Sequence, residues 1–176
     1  MQKLMLAVVS AWLFAFSCAE RPVPQREKLN WMTLAEAKTA MQKEKRPILI
    51  DLYTDWCSWC KVMDKNTYTN DKVIAYLQQK FYPVKLDAET RETLEWQNRT
   101  YTYNKNNRIN EITLYLTGGQ PSFPTTVFIP LDNSGPQPVP GYLKPAELEL
   151  IVKYFGENKY GHLPFDTWQK NFKSSW

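Results

Sequence analysis

An apolar run, Ile48-Leu49-Ile50-Asp51-Leu52-Tyr53, leads within a few residues into Trp56-Cys57-Ser58-Trp59-Cys60-Lys61. A strand that delivers a Cys-x-x-Cys pair to the start of a helix limits the fold more than any other stretch of this chain. Residues three apart on a helix share a face, within reach of an S–S bond of ordinary geometry. The first cysteine, at the helix N-terminus, faces unpaired N–H groups and the positive end of the helix dipole, which lower a thiol pKa and favour the thiolate. The second can then attack a mixed disulfide and close the ring. Cys57 is the expected nucleophile and Cys60 the resolving thiol.

Other uses of the pair fit less well. A zinc site needs four ligands, usually a second Cys-x-x-Cys or a His pair. The chain holds three cysteines and one histidine, His162. Attachment of a c-type haem needs a histidine after the second cysteine, where Lys61 stands. No metal and no cofactor beyond a redox-active Cys57–Cys60 disulfide is expected. A purely structural disulfide stays open.

The near-continuous apolar character of residues 47–53 predicts a central strand covered on both faces, with Asp51 as its exception. A carboxylate buried there needs a partner or a task. Pro83-Val84-Lys85-Leu86-Asp87 brings a lysine on the next predicted strand. Further along come Phe123-Pro124-Thr125, the strand-like Thr126-Val127-Phe128-Ile129, and Gly141 ahead of the last domain helix.

Taken in this order over residues 29–156, these features resemble the thioredoxin family. The resemblance implies an α/β thioredoxin fold, a central mixed β-sheet flanked by helices. It implies that Asp51 is a buried acid paired with Lys85 and a proton acceptor for Cys60. It also implies that Pro124 is cis and faces the cysteines, leaving the Phe123 backbone free to pair with an extended substrate by strand addition. Trp56, Trp59, Phe123 and Pro124 are the candidate substrate-binding residues, with Trp59 expected to be exposed. Two departures stand out. Ser58-Trp59 separates the cysteines, and the helix after them breaks before a second helical run opens at Asn70-Asp71. That break is similar to the thioredoxin-like subgroup of bacterial envelope proteins.

The remaining segments read as follows. Thr33-Leu34-Ala35-Glu36 is a capping box opening a helix to about residue 44. A helix is expected over 71–80 and a strand over 81–86. Residues 92–107 alternate polar and aromatic side chains and turn at 104–107, an inserted hairpin whose aromatics either pack on the core or form a ledge for a partner. A short helix over 108–116 should end at Gly118-Gly119. A turn over 132–135, an edge strand over 136–139 and a helix from Pro145 to about residue 155 complete the domain. Residues 157–176, with Phe165, Trp168 and Phe172 at helical spacing, are expected to pack back as an added C-terminal helix.

Residues 1–17 open with Met1-Gln2-Lys3, continue apolar from Leu4 and read as a secretory signal peptide. Ala15-Phe16-Ser17-Cys18 resembles a loose bacterial lipobox, making Cys18 the expected lipidation site, with cleavage after Ala19 as the alternative. Residues 18–28 would then be an extended tether holding the domain roughly 30 Å from a membrane. Removal or acylation of Cys18 leaves Cys57 and Cys60 as a closed pair, as suits an oxidising compartment. A net charge of +4 without any basic run argues against nucleic-acid binding.

The expected protein is thus an exported, lipid-anchored thiol–disulfide oxidoreductase on the periplasmic face of a bacterial membrane. It would reduce protein disulfides and draw electrons from a membrane thiol carrier. The alternatives are a disulfide oxidase or isomerase, or a non-catalytic binding module with a structural disulfide. An exposed, reactive Cys57 favours the enzyme, and a buried Cys57 the module.

Overall fold

The computed structural model describes residues 28–132 and 134–176. The expected signal peptide, Cys18 and nearly all of the tether lie outside the described residues.

Thr33 caps α1 (Leu34–Lys43) through the reciprocal bonds of a capping box with Glu36. The apolar run then becomes β1 (Ile48–Tyr53), the Cys-x-x-Cys segment opens α2 (Ser58–Asn66), and Asn70 caps α3 (Asp71–Lys80). β2 (Tyr82–Asp87) runs parallel to β1. After an insertion and α4 (Glu111–Leu116), β7 (Thr125–Ile129) returns antiparallel to β1, and β8 (Gln137–Pro140) pairs with β7 at the edge. The sheet order is β2-β1-β7-β8. α5 (Pro145–Gly156) and α6 (Phe165–Asn171) follow.

Alternation along β1 divides the core. Ile48, Ile50 and Leu52 join Val84, Val127, Ile112 and Leu116 on the face covered by α1, α4 and the insertion. Leu49 joins Met63, Ile74, Leu77, Phe81, Phe128, Leu148 and Val152 beneath α2, α3 and α5. Asp51 has the parity of Leu49, so its carboxyl lies on the face roofed by the cysteine-bearing helix. Register completes the placement, setting Asp51 opposite Lys85 on β2 and opposite Thr126 on β7.

The insertion differs from the single hairpin expected. β3 (Leu94–Trp96) and β4 (Arg99–Tyr101) form one tight hairpin, and β5 (Tyr103–Asn104) pairs with β6 (Ile109–Asn110) in a second. The additional turn falls at Gln97-Asn98, with φ of 47° and 60°. That is the left-handed pair a two-residue hairpin turn needs, and asparagine tolerates it better than most residues. Trp96 and Tyr101 are buried in the core, so these aromatics form no ledge. The short helix starts at Glu111 rather than 108, because Ile109–Asn110 are held in β6 and the Asn110 side chain caps the Ile112 N–H.

The C-terminal residues pack back on α5 and α3. The Trp168 indole donates to the Leu150 carbonyl at 2.9 Å, and Trp176 meets the Tyr76 ring at 5.5 Å. Glu149, fully buried on α5, accepts from Lys153 Nζ at 2.6 Å, from both serine hydroxyls of Ser174-Ser175 at 2.6 Å, and from the Ser175 and Trp176 amides at 2.8 and 3.1 Å. Burial alone would raise the Glu149 carboxyl, but these donors lower it to about 2.

Candidate active site

β1 ends at Tyr53, and the chain turns so that the Cys57 amide donates to the Thr54 carbonyl at 3.1 Å. Cys57 is the N-cap of α2, and its Sγ accepts the Cys60 amide at 3.0 Å. The expected placement at a helix N-terminus is therefore met, with an otherwise orphaned amide aimed at the sulfur. Cys57 and Cys60 are joined by a disulfide with Cα atoms 5.3 Å apart.

The expected exposure of Cys57 is not met. Cys57 is 5% and Cys60 3% exposed, so the two sulfurs are almost equally covered. An exposed tryptophan precedes each of them in the chain. Trp56, 66% exposed, meets Phe123 edge-on at 5.9 Å, and Trp59, 59% exposed, lies against Tyr142 at 5.6 Å. The Phe123–Pro124 bond is cis, as the resemblance implied, and the Pro124 carbonyl accepts the Gly141 amide at 2.8 Å. Gly141 has a φ of 100°, a conformation that favours glycine and lets the chain turn back onto the proline loop.

On the α2 side of the sheet lies a charge cluster larger than expected, buried at Asp51 and open to solvent at Asp64. Lys85 Nζ is 2.5 Å from Asp51 Oδ2 and also bonds Asp64 Oδ1 on α2. The rings of Tyr53, Trp31 and Tyr68 surround the ammonium at 4.9, 5.2 and 5.7 Å. Asp51 is 1% exposed, and burial pushes its carboxyl up to about 6 against the opposing pull of Lys85. Burial works to lower the Lys85 ammonium, but Asp51 and then Asp64 hold it above its ordinary value. Asp51 Oδ1, the Tyr68 hydroxyl and the Thr126 hydroxyl are buried without a hydrogen-bond partner among the described residues.

The structure thus places the buried Cys57 and Cys60 between the exposed Trp56 and Trp59, brings the Phe123–Pro124 loop to them through the Trp56–Phe123 contact, and pairs Asp51 with Lys85 across β1 and β2. The sequence reading missed Asp64, Tyr68 and Tyr142. Asp64 had a signal, since it lies four residues after Cys60 on the same helix. Tyr142 had a weaker one, as the residue after Gly141. Among the described residues no group of three or more His, Cys, Asp or Glu is placed to hold a metal ion.

A family model described as thioredoxin-like matches residues 30–129. The chain belongs to the thioredoxin-like family. Among curated relatives, the thiol:disulfide interchange protein DsbD of Pectobacterium atrosepticum is 35% identical over 46 residues, which is 26% of this chain and 8% of that protein. The human spermatogenesis-associated protein 20 is 30% identical over 60 residues, 34% of this chain and 8% of that protein. The chain therefore matches less than a tenth of the length of these curated relatives. Among solved structures, a DsbH oxidoreductase superposes with a TM-score of 0.54 at 18% identity, covering 79% of this chain and 92% of its own. A thioredoxin from Thermus thermophilus gives 0.51 at 18% identity, covering 78% and 100%. These two likenesses are of fold. A thioredoxin-like domain with a Cys-x-x-Cys disulfide capping a helix is equipped for thiol–disulfide exchange.

Proposed function

We propose that this protein is a thiol–disulfide oxidoreductase of the bacterial envelope that reduces protein disulfides through Cys57 and Cys60. The observation that carries the proposal is the Cys57 sulfur at the N-terminus of α2, receiving the Cys60 amide and flanked by the cis Pro124 loop. In the reduced state the Cys57 thiolate attacks one sulfur of a client disulfide. A Cys57–client S–S bond forms, the client bond breaks, and the other client sulfur leaves as a thiolate. Cys60 gives up its proton, attacks Cys57 Sγ, and releases the second client thiol. Two electrons have then passed to the client, and the pair is again a disulfide. Asp51 is the acceptor for the Cys60 proton, and Lys85 keeps it from being permanently neutral at working pH. Trp56, Trp59, Phe123 and Pro124 hold the client segment.

Reduction in an oxidising compartment requires electrons from elsewhere, and a membrane thiol carrier would supply them. The local likeness to DsbD supports such a thiol-exchange partner. The sequence at Ala15-Phe16-Ser17-Cys18 supports export and acylation of Cys18.

A second reading has one observation in its favour. Burial of Cys57 suits a thioredoxin-fold binding module whose disulfide is structural. Timed alkylation of the reduced native protein, read by mass spectrometry, separates the two. In the enzyme Cys57 labels near neutral pH while Cys60 stays protected until unfolding. Protection of both thiols until unfolding supports the module, and labelling of Cys60 first overturns the assignment of roles. The same spectra read the N-terminus of the exported protein, expected as an acylated Cys18; an unmodified chain starting at Glu20 overturns the lipid anchor alone.

A further inference from the structure

Two buried hydroxyls stand at the Asp51 carboxyl, and the proposed reaction leaves both idle. Thr126 on β7 is the cross-strand partner of Asp51. Directly opposed residues of an antiparallel pair project from the same face, with Cβ atoms about 5 Å apart. Tyr68, in the turn after α2, is 4% exposed and meets the Trp31 ring edge-on at 4.8 Å. It packs with Leu49, Met63 and Phe128 on the Asp51 side of the sheet. Its hydroxyl is near enough to Asp51 to lower that carboxyl, and near enough to Thr126 for the threonine to act on it in turn. In this disulfide-bonded state Asp51 Oδ1, Tyr68 Oη and Thr126 Oγ1 are buried and complete no hydrogen bond among the described residues.

Folded proteins rarely gather three such atoms without a use for them. The two carboxylate oxygens of Asp51 are not equivalent. Lys85 Nζ donates to Oδ2 at 2.5 Å, so the oxygen with free lone pairs is Oδ1, and a proton taken from Cys60 goes there. Before it arrives, the ionised oxygen needs a donor. Afterwards the carboxylic acid is itself a donor and needs an acceptor. An ammonium or a backbone amide serves only the first state. A hydroxyl serves both, because it rotates to present either its proton or a lone pair. Burial and then the Asp51 charge hold the Tyr68 phenol well above its ordinary value, so it keeps its proton wherever Asp51 titrates.

We propose that Tyr68 and Thr126 are positioning residues whose two hydroxyls serve Asp51 Oδ1 in both of its protonation states. The acid can then take up and return the Cys60 proton without stranding a buried polar group. This rests on the reading of Asp51 as the acceptor for that proton. During resolution the Cys60 S–H bond breaks, an O–H bond forms on Oδ1, and the Cys60 thiolate attacks Cys57 Sγ. When a donor thiol reduces the Cys57–Cys60 bond, the proton passes back from Oδ1 to the departing Cys60 sulfur. The charged and titratable groups that act on Asp51 are Lys85 on β2, Asp64 on α2 and Tyr68 itself, while β7 contributes the neutral Thr126.

The test is a stopped-flow reaction of the reduced protein with one equivalent of a symmetrical aryl disulfide whose thiols are coloured, between about pH 5 and 8. The first coloured thiol reports attack by Cys57, and the second reports resolution by Cys60. In the unmodified protein the second phase should slow as pH falls below about 6. Tyr68→Phe keeps the ring and Thr126→Val keeps the shape, so each removes little but a hydroxyl. Hydrogen bonds to a charge are the stronger ones, so the loss falls mainly on ionised Asp51. In either variant the limb should move up by about one pH unit. The second phase is then about fivefold slower at pH 6 and nearly unchanged at pH 8. Thr126→Ser, which restores a hydroxyl, should bring the limb back. A merely structural role would lower the melting temperature and leave the limb in place. A limb that stays in place in either variant overturns the pair, and if one variant fails to fold the other decides. Absence of the limb, or of the second phase, in the unmodified protein would instead overturn the reading of Asp51 on which the pair rests.

Discussion

A Cys60→Ser variant will accumulate mixed disulfides with client proteins through Cys57, and a Cys57→Ser variant will accumulate none. The asymmetry follows from the placement of the two sulfurs. Cys57 caps α2 and takes the Cys60 amide, which stabilises negative charge on its sulfur. Cys60 lies within the first turn, joined to Cys57, and its sulfur lacks that capping position. Removing Cys60 leaves the first attack intact and blocks release, so the covalent complex persists. Removing Cys57 takes away the attacking atom, and turnover should fall by a thousandfold or more, on the order seen when a catalytic nucleophile is lost. Non-reducing electrophoresis of each variant recovered from the cell envelope reads the result. Equal trapping by both variants would contradict the assignment of roles.

Asp51→Asn should slow the resolving step by about a hundredfold near neutral pH while raising stability, two effects of opposite sign from one substitution. The first is the usual worth of a positioned proton acceptor. The second comes from linkage. Burial holds the Asp51 carboxyl at about 6, against 3.8 for the ordinary group. Between those values the folded protein keeps a proton that the unfolded chain has released. That proton stabilises the fold at low pH, and its contribution is lost as pH rises through 6. Above pH 6 the fold carries a buried carboxylate at a cost of up to about 3 kcal/mol, which asparagine removes. Lys85 is not stranded by the change, because Asp64 still bonds it. The rate of the unmodified protein should therefore fall as pH drops below about 6, and the variant should lose both that limb and the decline in stability between pH 4 and 6. Stopped-flow reduction of a model disulfide and thermal melts across that range check both. A variant that unfolds, with activity per folded molecule unchanged, would make Asp51 an ion-pair partner only.

Local pattern carried the central parts of this structure into the sequence. The continuous apolar run marked β1, its charged exception marked Asp51, and the capping box marked α1, because each depends on residues adjacent in the chain. The Asp51–Lys85 pair spans β1 and β2 and came from the family order of motifs; spacing alone could not have joined residues 34 apart. What stayed hidden depends on tertiary closure. Glu149 in Pro145-Ala146-Glu147-Leu148-Glu149 looks like one more exposed helical charge, and it is buried only because Ser174-Ser175-Trp176 folds over it. Tyr142 joins the site because β8 pairs with β7, the Gly141 amide continues that pairing to the Pro124 carbonyl, and the ring then meets Trp59. The burial of Cys57 was illegible for the same reason, since exposure depends on how distant parts of the chain pack. The extra turn at Gln97-Asn98 lacked the glycine that ordinarily marks such hairpins.

An exchanging pair differs from a structural one in whether the Cys57–Cys60 bond opens and closes under working conditions. The direct measurement is a redox titration of the native protein in mixtures of reduced and oxidised glutathione, quenched in acid and read by alkylation of the two thiols. An exchanging pair gives a reversible two-electron transition at or above about −270 mV, the range of thioredoxin-fold catalysts. A pair that stays oxidised until the potential is below about −300 mV, where structural disulfides lie, would contradict it.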